Sequence, residues 1–377
     1  MKTNTTSLFY FIQRTIRTAA ISATVIGVTA AASVANADAG VVYTLTNAVA
    51  GNSVAVFNRA DDGTLSAGGQ VATTGFGSGG GLGSQGALVL SKNGHWLFAV
   101  NAGSNDVSVF SATNGGLTLL SKTASGGVRP VSLTVHDDVL YVLNGGGVNN
   151  ISGFRIQDNG TLQPIPGSTR PLSAAATGPA QIEFDRDGAV LVVTEKATNK
   201  IDIYSVEDGV AQPAKVRNSV GVTPFGFAFD KRDHLIVSEA FGGAAGASAV
   251  SSYNVEEEWA DLQTISPSVK DTQSAACWVV TTRNGRYAYT SNTGSGTISG
   301  YNIARNGSLS LINADGKTGV TGANPTDMAL SRNSQYLYVI TPANGVLNAL
   351  KVGANGSLTT INGANGIPAS AVGLAAR

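Results

Sequence analysis

The amino-acid sequence predicts an all-β protein, a seven-bladed β-propeller closed by pairing of its C-terminal strand with the N-terminal blade. Three observations predict this fold. A unit of four short strands recurs seven times at intervals of about 43 to 54 residues. Five of the units contain the same turn, Asx-Gly-x-Leu. The two ends of the propeller also complement each other.

The centre of each unit has one recurring pattern. A strand that ends in a polar residue, often Asn or Glu, is followed by a turn and by a strand that ends in an aromatic or apolar residue. Two examples are HWLFAVNAGSNDVSVF at His95–Phe110 and RYAYTSNTGSGTISGY at Arg286–Tyr301. Repeats of this length with four short strands are typical of propeller blades, which share one ring and one continuous core.

The last hairpin turn of each unit marks the blades most clearly. Asn-Gly and Asp-Gly accept the positive φ angles that a type I′ turn requires, so they predict tight hairpins. The fourth unit keeps only Asp208-Gly209, and the fifth replaces the turn with 256–259. The full turns are Asp62-Gly63-Thr64-Leu65, Asn114-Gly115-Gly116-Leu117, Asn159-Gly160-Thr161-Leu162, Asn306-Gly307-Ser308-Leu309 and Asn355-Gly356-Ser357-Leu358.

The ends of the repeat array predict how the ring closes. Val41–Asn47 aligns with the second strand of a blade, so the first blade lacks its innermost strand at the N-terminal side. Ala371–Ala376 resembles that missing strand. We therefore expect the C-terminal segment to complete the N-terminal blade and remove an open sheet edge.

Residues 1–37 resemble a secretory signal peptide. Three basic residues precede the small, apolar stretch Thr18–Ala32, and Ala35-Asn36-Ala37 is an A-x-A cleavage site. The apolar stretch has about 15 residues, which is short of the ~20 that a membrane span needs. We therefore expect cleavage after Ala37, a periplasmic or secreted protein without a membrane span, and a single propeller domain over 38–377.

The charge and cysteine content exclude some classes of function. Without the three basic residues of the leader, 21 basic residues face 24 acidic ones, and no basic run exists. Nucleic acid is therefore not an expected partner. Cys277 is the sole cysteine, so the chain forms no intrachain disulfide and Cys277 is expected to be a small buried filler. We expect a monomer.

The last residues of the second strands form a polar ring that opens towards one face of the propeller. Asn at such a position can be a turn residue, whereas Glu has no such preference. Glu195 and Glu239 lie in neighbouring blades and are the candidate catalytic carboxylates, although Lys196 or Lys200 could pair with Glu195. The ring comprises Asn47, Asn101, Asn144, Glu195, Glu239, Asn292 and Thr341.

The loops that enter the blades reach the same face and bring further candidate binding residues. Trp278 either forms a platform for a ligand or packs in the channel wall. Arg129 either binds an anionic ligand or pairs with Asp327. The candidate ligand-binding set is Arg129, Gln181, Asn101, Asn144, Asn292, Trp278 and Asp327.

The histidines point away from this face. His95, His136 and His234 all follow the first strand of a blade, in the hairpin on the opposite side of the ring. A Ser-His-Asp triad, a Cys-His pair or a His-rich zinc site is therefore not expected among the strand-end residues. Chemistry there would depend on carboxylates, amides, an arginine or a hard metal ion. Converging oxygen ligands would suit Ca²⁺, but no metal site is assigned and no organic cofactor is expected.

These features resemble the seven-bladed propeller lactonase family, which includes bacterial 6-phosphogluconolactonase and fungal carboxymuconate-lactonizing enzymes. The resemblance covers Val41 to Ala376. The family pattern G-P-R-H-x-x-F-H-P, followed by a strand ending in Asn-Glu, falls on Thr223–Asp230 and Ser238-Glu239. A second echo is Gly178-Pro179-Ala180-Gln181, with Thr194-Glu195. The Arg and His of the pattern are absent, which argues against 6-phosphogluconolactone and carboxymuconate as substrates.

Two functions follow from this resemblance. In the first, an exported lactonase hydrolyses a less anionic lactone, with Glu195 or Glu239 as the general base and Arg129 or Asn292 steadying the oxyanion. In the second, a non-catalytic propeller binds a small ligand or a partner protein through its polar face. A shared fold does not decide between them.

Overall fold

The structure is a computed structural model that describes residues 39–113, 116–256 and 260–377. The predicted signal peptide, residues 1–37, lies outside the described residues. The described residues form seven antiparallel sheets arranged as the blades of a β-propeller, as predicted. Their helical content is two short 3₁₀ turns, Phe241–Gly243 and Pro342–Asn344.

Each blade contains four or five strands. Blade 1 consists of Gly40–Leu45, Ser53–Arg59, Leu65–Ala72 and Val372–Ala376; blade 2 of Leu88–Leu90, Trp96–Asn101, Asp106–Thr113 and Gly116–Ala124; blade 3 of Val128–His136, Val139–Gly146, Asn150–Ile156, Leu162–Pro164 and Arg170–Pro171; and blade 4 of Pro179–Phe184, Val190–Glu195, Lys200–Glu207, Val210–Ala211 and Lys215–Asn218.

The remaining blades follow the same plan. Blade 5 consists of Pro224–Phe229, His234–Glu239, Ala249–Glu256 and Asp261–Lys270; blade 6 of Ala276–Thr281, Tyr287–Asn292, Thr297–Ile303, Leu309–Leu311 and Gly319–Val320; and blade 7 of Met328–Leu330, Tyr336–Thr341, Val346–Val352 and Leu358–Asn365.

The C-terminal strand closes the ring. Val372–Ala376 is the innermost strand of blade 1 and pairs antiparallel with Gly40–Leu45, with Tyr43 opposite Ala375. The Thr44 hydroxyl also donates to the Gly373 carbonyl at 2.8 Å. The predicted closure is confirmed, and both ends of the repeat array are held in one sheet.

Burial changes from the inside of each blade to the outside. The second strand of blade 4, VLVVTE at Val190–Glu195, is buried at every position because both of its faces pack against neighbouring blades. The outermost strand Gly116–Ala124 alternates between exposed and half-buried residues. Continuous apolar runs therefore form the inner strands, and alternating runs form the outer ones.

The Asx-Gly turns also join one blade to the next. Gly63 has φ +86°, and an added Cβ there would lie 2.2 Å from the ring of Tyr336 in blade 7. The Tyr338 hydroxyl donates to the Gly63 carbonyl at 3.0 Å, and Tyr289 donates to the Gly356 carbonyl at 2.8 Å. The glycines that the sequence marks as turn residues thus also permit close contact between blades.

Candidate functional site

Residues of the polar ring predicted at the ends of the second strands hydrogen-bond to neighbouring strands and loops, as Asn101 illustrates. The Asn101 amide is fully buried and donates to Asp106 at 2.6 Å and to Ser108 at 2.8 Å, both on the third strand. Its carbonyl oxygen accepts from Asn52 at 2.9 Å and from Thr73 at 2.7 Å. Asn101 therefore uses all its hydrogen-bonding groups within the protein.

Glu239 occupies the equivalent position in blade 5. Its side chain is fully buried, and its Oε1 accepts from the Gly221 amide at 2.8 Å and from the Ser251 hydroxyl. Its Oε2 accepts from the Ser268 hydroxyl at 2.5 Å. Burial raises the pKa of Glu239, while these hydrogen bonds oppose the shift.

Glu195 in blade 4 is also fully buried. It accepts from the Ser173 amide at 2.9 Å, from the Ser173 hydroxyl and from the Thr198 hydroxyl at 2.5 Å. A second carboxyl group, that of Asp202, lies beside it. Burial first, and then the hydrogen bond and negative charge of Glu195, raise the pKa of Asp202 to about 8.

The two lysines that could have paired with Glu195 lie elsewhere. The Lys196 ammonium group donates to the Gly83 carbonyl and lies 4.7 Å from the centre of the Phe225 ring. The Lys200 ammonium group donates to Asn218 at 2.5 Å. Glu195 is thus held by hydroxyl and amide donors.

Asn144 and Asn292 also bond within the protein through their amide groups, whereas their buried carbonyl oxygens have no partner among the described residues. The Asn144 amide donates to the Ser125 carbonyl at 3.2 Å and to Asn150 at 2.9 Å. The Asn292 amide donates to Thr297 at 3.2 Å and to Ser299 at 2.8 Å. Both side chains are fully buried, so the structure places them between strands and away from solvent.

A glycine-rich segment crosses the strand-end side of the central channel. We call Leu82–Gly86 the cross-channel segment. Gln85 reaches the far side of the ring, where its amide donates to the Val279 carbonyl at 2.7 Å and its Oε1 accepts from the Val279 amide at 2.9 Å. The Ser84 hydroxyl donates to the Val131 carbonyl at 2.8 Å. The cross-channel segment thus bridges blades 3 and 6 over the predicted site.

The departures from the lactonase pattern accommodate this segment. Gly226 stands where the pattern has His, and an added Cβ there would lie 2.2 Å from Oε1 of Gln85. Phe225 stands where the pattern has Arg, and its ring lies 5.0 Å from that of Trp278. A histidine at 226 would therefore occupy the space that Gln85 uses.

Trp278 and Asp327 lie beneath the cross-channel segment. Trp278 is 6% exposed and its indole N–H donates to the Ser84 carbonyl at 3.0 Å, so it packs in the channel wall. Asp327 is 3% exposed, and burial raises its pKa to about 7. Arg129 is exposed on the strand-end face, and the ion pairs found among the described residues include none between Arg129 and Asp327.

Lys196 and Cys277 complete the strand-end side. Desolvation lowers the pKa of Lys196 to about 8, against the effect of Cys277 and with a further contribution from Arg129. Burial raises the pKa of the Cys277 thiol to about 11. Cys277 is therefore a buried thiol, as the sequence predicts for a small filler.

The axial channel below the cross-channel segment is a cavity of about 500 Å³. Gln181 and Glu183 lie on its wall, two residues apart on the first strand of blade 4, and the Gln181 amide donates to Glu183 at 2.7 Å. Gln181 also accepts from the Phe227 amide at 2.7 Å. Burial raises the pKa of Glu183 to about 8, so this carboxyl group is mostly uncharged at neutral pH.

Glu183 was not among the predicted site residues, although a signal for it exists. First strands alternate, so the residue two positions after Gln181 faces the same channel. Gln85 gave no comparable signal, because its glycine-rich surroundings resemble an ordinary loop. The channel also contacts the hairpin residues Lys92, His136 and Arg186, which places its mouth on the side of the histidines.

The described residues show neither a metal-binding cluster nor a membrane-spanning helix. Within 39–113, 116–256 and 260–377, no group of three or more His, Cys, Asp or Glu residues is placed to hold a metal ion. In the same ranges, no helix has the length and apolar character that crossing a membrane requires.

The comparisons with known proteins agree with the fold. A family profile described as lactonase, 7-bladed beta-propeller, matches residues 35–171. A search of curated proteins gave no match.

Several solved structures share the fold. A protein of Bacteroides fragilis assigned as a 6-phosphogluconolactonase is 19% identical, with a TM-score of 0.66 over 90% of this chain and 98% of that one. A protein from Lactobacillus plantarum is 16% identical, with a TM-score of 0.73 over 90% and 99%. The periplasmic gluconolactonase of Pseudomonas aeruginosa is 19% identical, with a TM-score of 0.59 over 72% and 82%. At these identities the likeness concerns the fold.

Proposed function

We propose that this chain is a divergent member of the seven-bladed β-propeller lactonase family and that it binds a small uncharged ligand, such as a sugar or a sugar lactone, in its axial channel. The match of residues 35–171 to the family profile supports the first part. The observation that carries this proposal is the Glu183 carboxyl group on the channel wall. Gln181 holds it with one amide hydrogen and donates the other to the Phe227 carbonyl at 2.9 Å. An uncharged carboxyl group can both donate to and accept from hydroxyl and carbonyl groups.

The shape of the channel supports the proposal. Its volume of about 500 Å³ is in the range of small-ligand sites. The cross-channel segment covers one end, and residues of the hairpin side surround the other. Apolar residues such as Leu133 and Met328 share the wall with the polar pair, a mixture that suits the two faces of a sugar ring.

Hydrolysis of a lactone ring is the second candidate, and the family match favours it. In this candidate Glu195 or Glu239 is the general base, and Arg129 or Asn292 steadies the oxyanion. Both carboxylates are fully buried and already accept three hydrogen bonds each, so water reaches them only if those bonds open. We therefore place binding before hydrolysis.

Calorimetric titration with an aldose and its δ-lactone tests the binding proposal. We expect saturable binding at pH 6 that weakens above pH 8, because Glu183 then ionises and loses its donor. Glu183→Gln should bind at both pH values, since the amide does not titrate. Glu239→Gln is the matched control and should bind like the wild type. Absence of saturable binding, or a pH dependence that persists in Glu183→Gln, would contradict the proposal.

Measuring proton release with the same lactone distinguishes hydrolysis, the second candidate, from binding alone. Turnover above background that falls by about 10²-fold or more in Glu195→Gln or Glu239→Gln would establish carboxylate catalysis. Turnover that neither variant reduces tenfold would remove both residues from the mechanism.

Export is the last part of the proposal. The basic start, the apolar stretch Thr18–Ala32 and the Ala35-Asn36-Ala37 site support it. N-terminal sequencing of the protein from a secretion-competent host should begin at Asp38. A first residue of Met1 in the purified protein would contradict cleavage.

A further inference from the structure

A second concave surface lies on the hairpin side of the ring, between blades 1, 2 and 7. We call it the hairpin-face groove. Its volume is about 1120 Å³, and no Asp or Glu is among the described residues that line it. Its basic side chains come from three blades and from the C-terminal residue: Arg59, Lys92, His95, Arg332 and Arg377.

Arg59 is the unusual member of this set. It is only 5% exposed, and the described residues provide no carboxylate within ion-pair distance of its guanidinium group. Its partners are neutral: the Ala60 carbonyl at 3.5 Å from Nη1, and the Tyr336 ring centre at 5.8 Å. Its Nε is buried and has no hydrogen-bond partner among the described residues. A buried charge is normally paired, and in the described part of the chain Arg59 has no side-chain carboxylate as its counter-ion. The main-chain carbonyl of Arg377 lies nearby, since the Cβ that Gly40 lacks would lie 2.6 Å from Nη2 of Arg59 and 1.9 Å from that oxygen.

The other cationic side chains of the groove have neutral partners or are exposed to solvent. Arg377 donates from Nη1 to the Ala112 carbonyl and from Nη2 to the Thr113 carbonyl, each at 2.8 Å, so its partners are neutral too. Lys92 and Arg332 are exposed at the rim, on the first hairpins of blades 2 and 7. Positive side chains in a concave surface focus the potential and attract anions.

We propose that the hairpin-face groove binds a small oxyanion, a carboxylate or a phosphate, with the Arg59 guanidinium group as its principal contact. The planar guanidinium group suits carboxylate and phosphate oxygens, and the rim cations supply long-range attraction. The concave shape favours a small molecule over a flat macromolecular surface. The groove shares Leu90, Lys92 and Ala376 with the axial channel but needs no ligand in it.

Calorimetric titration of the full chain with inorganic phosphate at low ionic strength tests this site. We expect one saturable site in the wild type. Lys92→Gln combined with Arg332→Gln should weaken binding at least tenfold, and both positions are exposed, so the fold should persist. Lys270→Gln combined with Arg305→Gln removes the same charge outside the groove and should leave the affinity within twofold.

Two further variants sharpen the test. Arg59→Lys keeps the charge but loses the planar fork, and we expect at least a tenfold loss of phosphate affinity. Glu183→Gln should leave phosphate binding unchanged, which separates this site from the channel. Equal losses in the two double variants, or no saturable phosphate site in the wild type, would overturn the proposal.

Discussion

Blades 4 and 5 place the same residue, Glu, at the end of the second strand, but they surround it differently. Glu195 in blade 4 faces the carboxyl group of Asp202, whereas Glu239 in blade 5 accepts from the hydroxyl of Ser251. Asp202 and Ser251 occupy the same place on the third strand, two residues after the partner of the Glu. At this third-strand position blade 4 thus has a carboxyl group where blade 5 has a hydroxyl group.

This difference shows that the strand-end Glu has one structural role in two electrostatic surroundings. In both blades the Glu holds the segment that enters its own blade from the preceding one, through Ser173 or Gly221. In blade 4, however, a second carboxyl group shares the buried site, and burial together with the neighbouring Glu195 raises the pKa of this group, Asp202, to about 8. The same strand-end residue therefore does not imply the same electrostatic surroundings.

The largest expected effect comes from removing Glu239. Glu239→Ala leaves the Gly221 amide and the Ser251 and Ser268 hydroxyls without their acceptor. We expect unfolding to become easier by about 3 kcal/mol. At roughly 2 °C per kcal/mol for a domain of this size, the Tm should fall by about 6 °C.

Glu239→Gln is the matched variant, since its amide oxygen still accepts hydrogen bonds. It should lose less than half as much stability as Glu239→Ala in the same thermal scan. If Glu239→Ala melts like the wild type, the side chain does not hold these donors and the proposed structural role is wrong.

A smaller effect, and one limited to blade 4, is a dependence of stability on pH. The pKa of Asp202 is raised from 3.8 to about 8 in the folded protein. Its contribution is therefore fully present below about pH 4 and is lost as the pH rises through about 8. Asp202→Ser makes blade 4 resemble blade 5. It should reduce the loss of folding stability between pH 5 and pH 9 by an amount on the order of 2 kcal/mol, which is about 4 °C in Tm.

Comparing the wild type with Asp202→Ser isolates the contribution of Asp202 to the pH dependence of stability. Glu183 and Asp327 also have raised pKa values, about 8 and about 7, and contribute a loss in the same direction. These contributions are common to the wild type and to Asp202→Ser, so the difference between the two curves reports Asp202. Parallel curves for the two proteins would show that Asp202 ionises as easily folded as unfolded.

Much of the fold followed from the sequence, because periodicity and turn chemistry are local. The Asx-Gly turns fixed the outer hairpins, and the mismatch between Val41–Asn47 and Ala371–Ala376 predicted the closure that the C-terminal strand makes. These features depend on residues close in sequence or on a repeat that can be counted.

Less of the candidate site could be predicted from the sequence, because its contacts join residues that are far apart along the chain. Gln85 meets Val279 across the ring, 194 positions away, and no local pattern indicates that contact. The sequence identified the residues of the polar ring. Whether their side chains face a pocket or lie buried between strands depends on third-strand partners such as Asp202 and Ser251. A strand-end Glu at the mouth of a pocket and one locked between strands have the same local sequence.

The smallest expected effect compares single hydroxyl donors in the two blades. Thr198→Val removes the donor to Oε2 of Glu195, and Ser268→Ala removes the donor to Oε2 of Glu239. Each should cost about 1 kcal/mol, or about 2 °C in Tm, near pH 6. The cost of Thr198→Val should grow above pH 8, because Glu195 then faces an ionised Asp202 and needs its donors more. Ser268→Ala lies in blade 5, where Ser251 stands at the position of Asp202, and should cost the same at both pH values. Equal pH responses of the two variants would show that the surroundings of Glu195 and Glu239 are electrostatically alike.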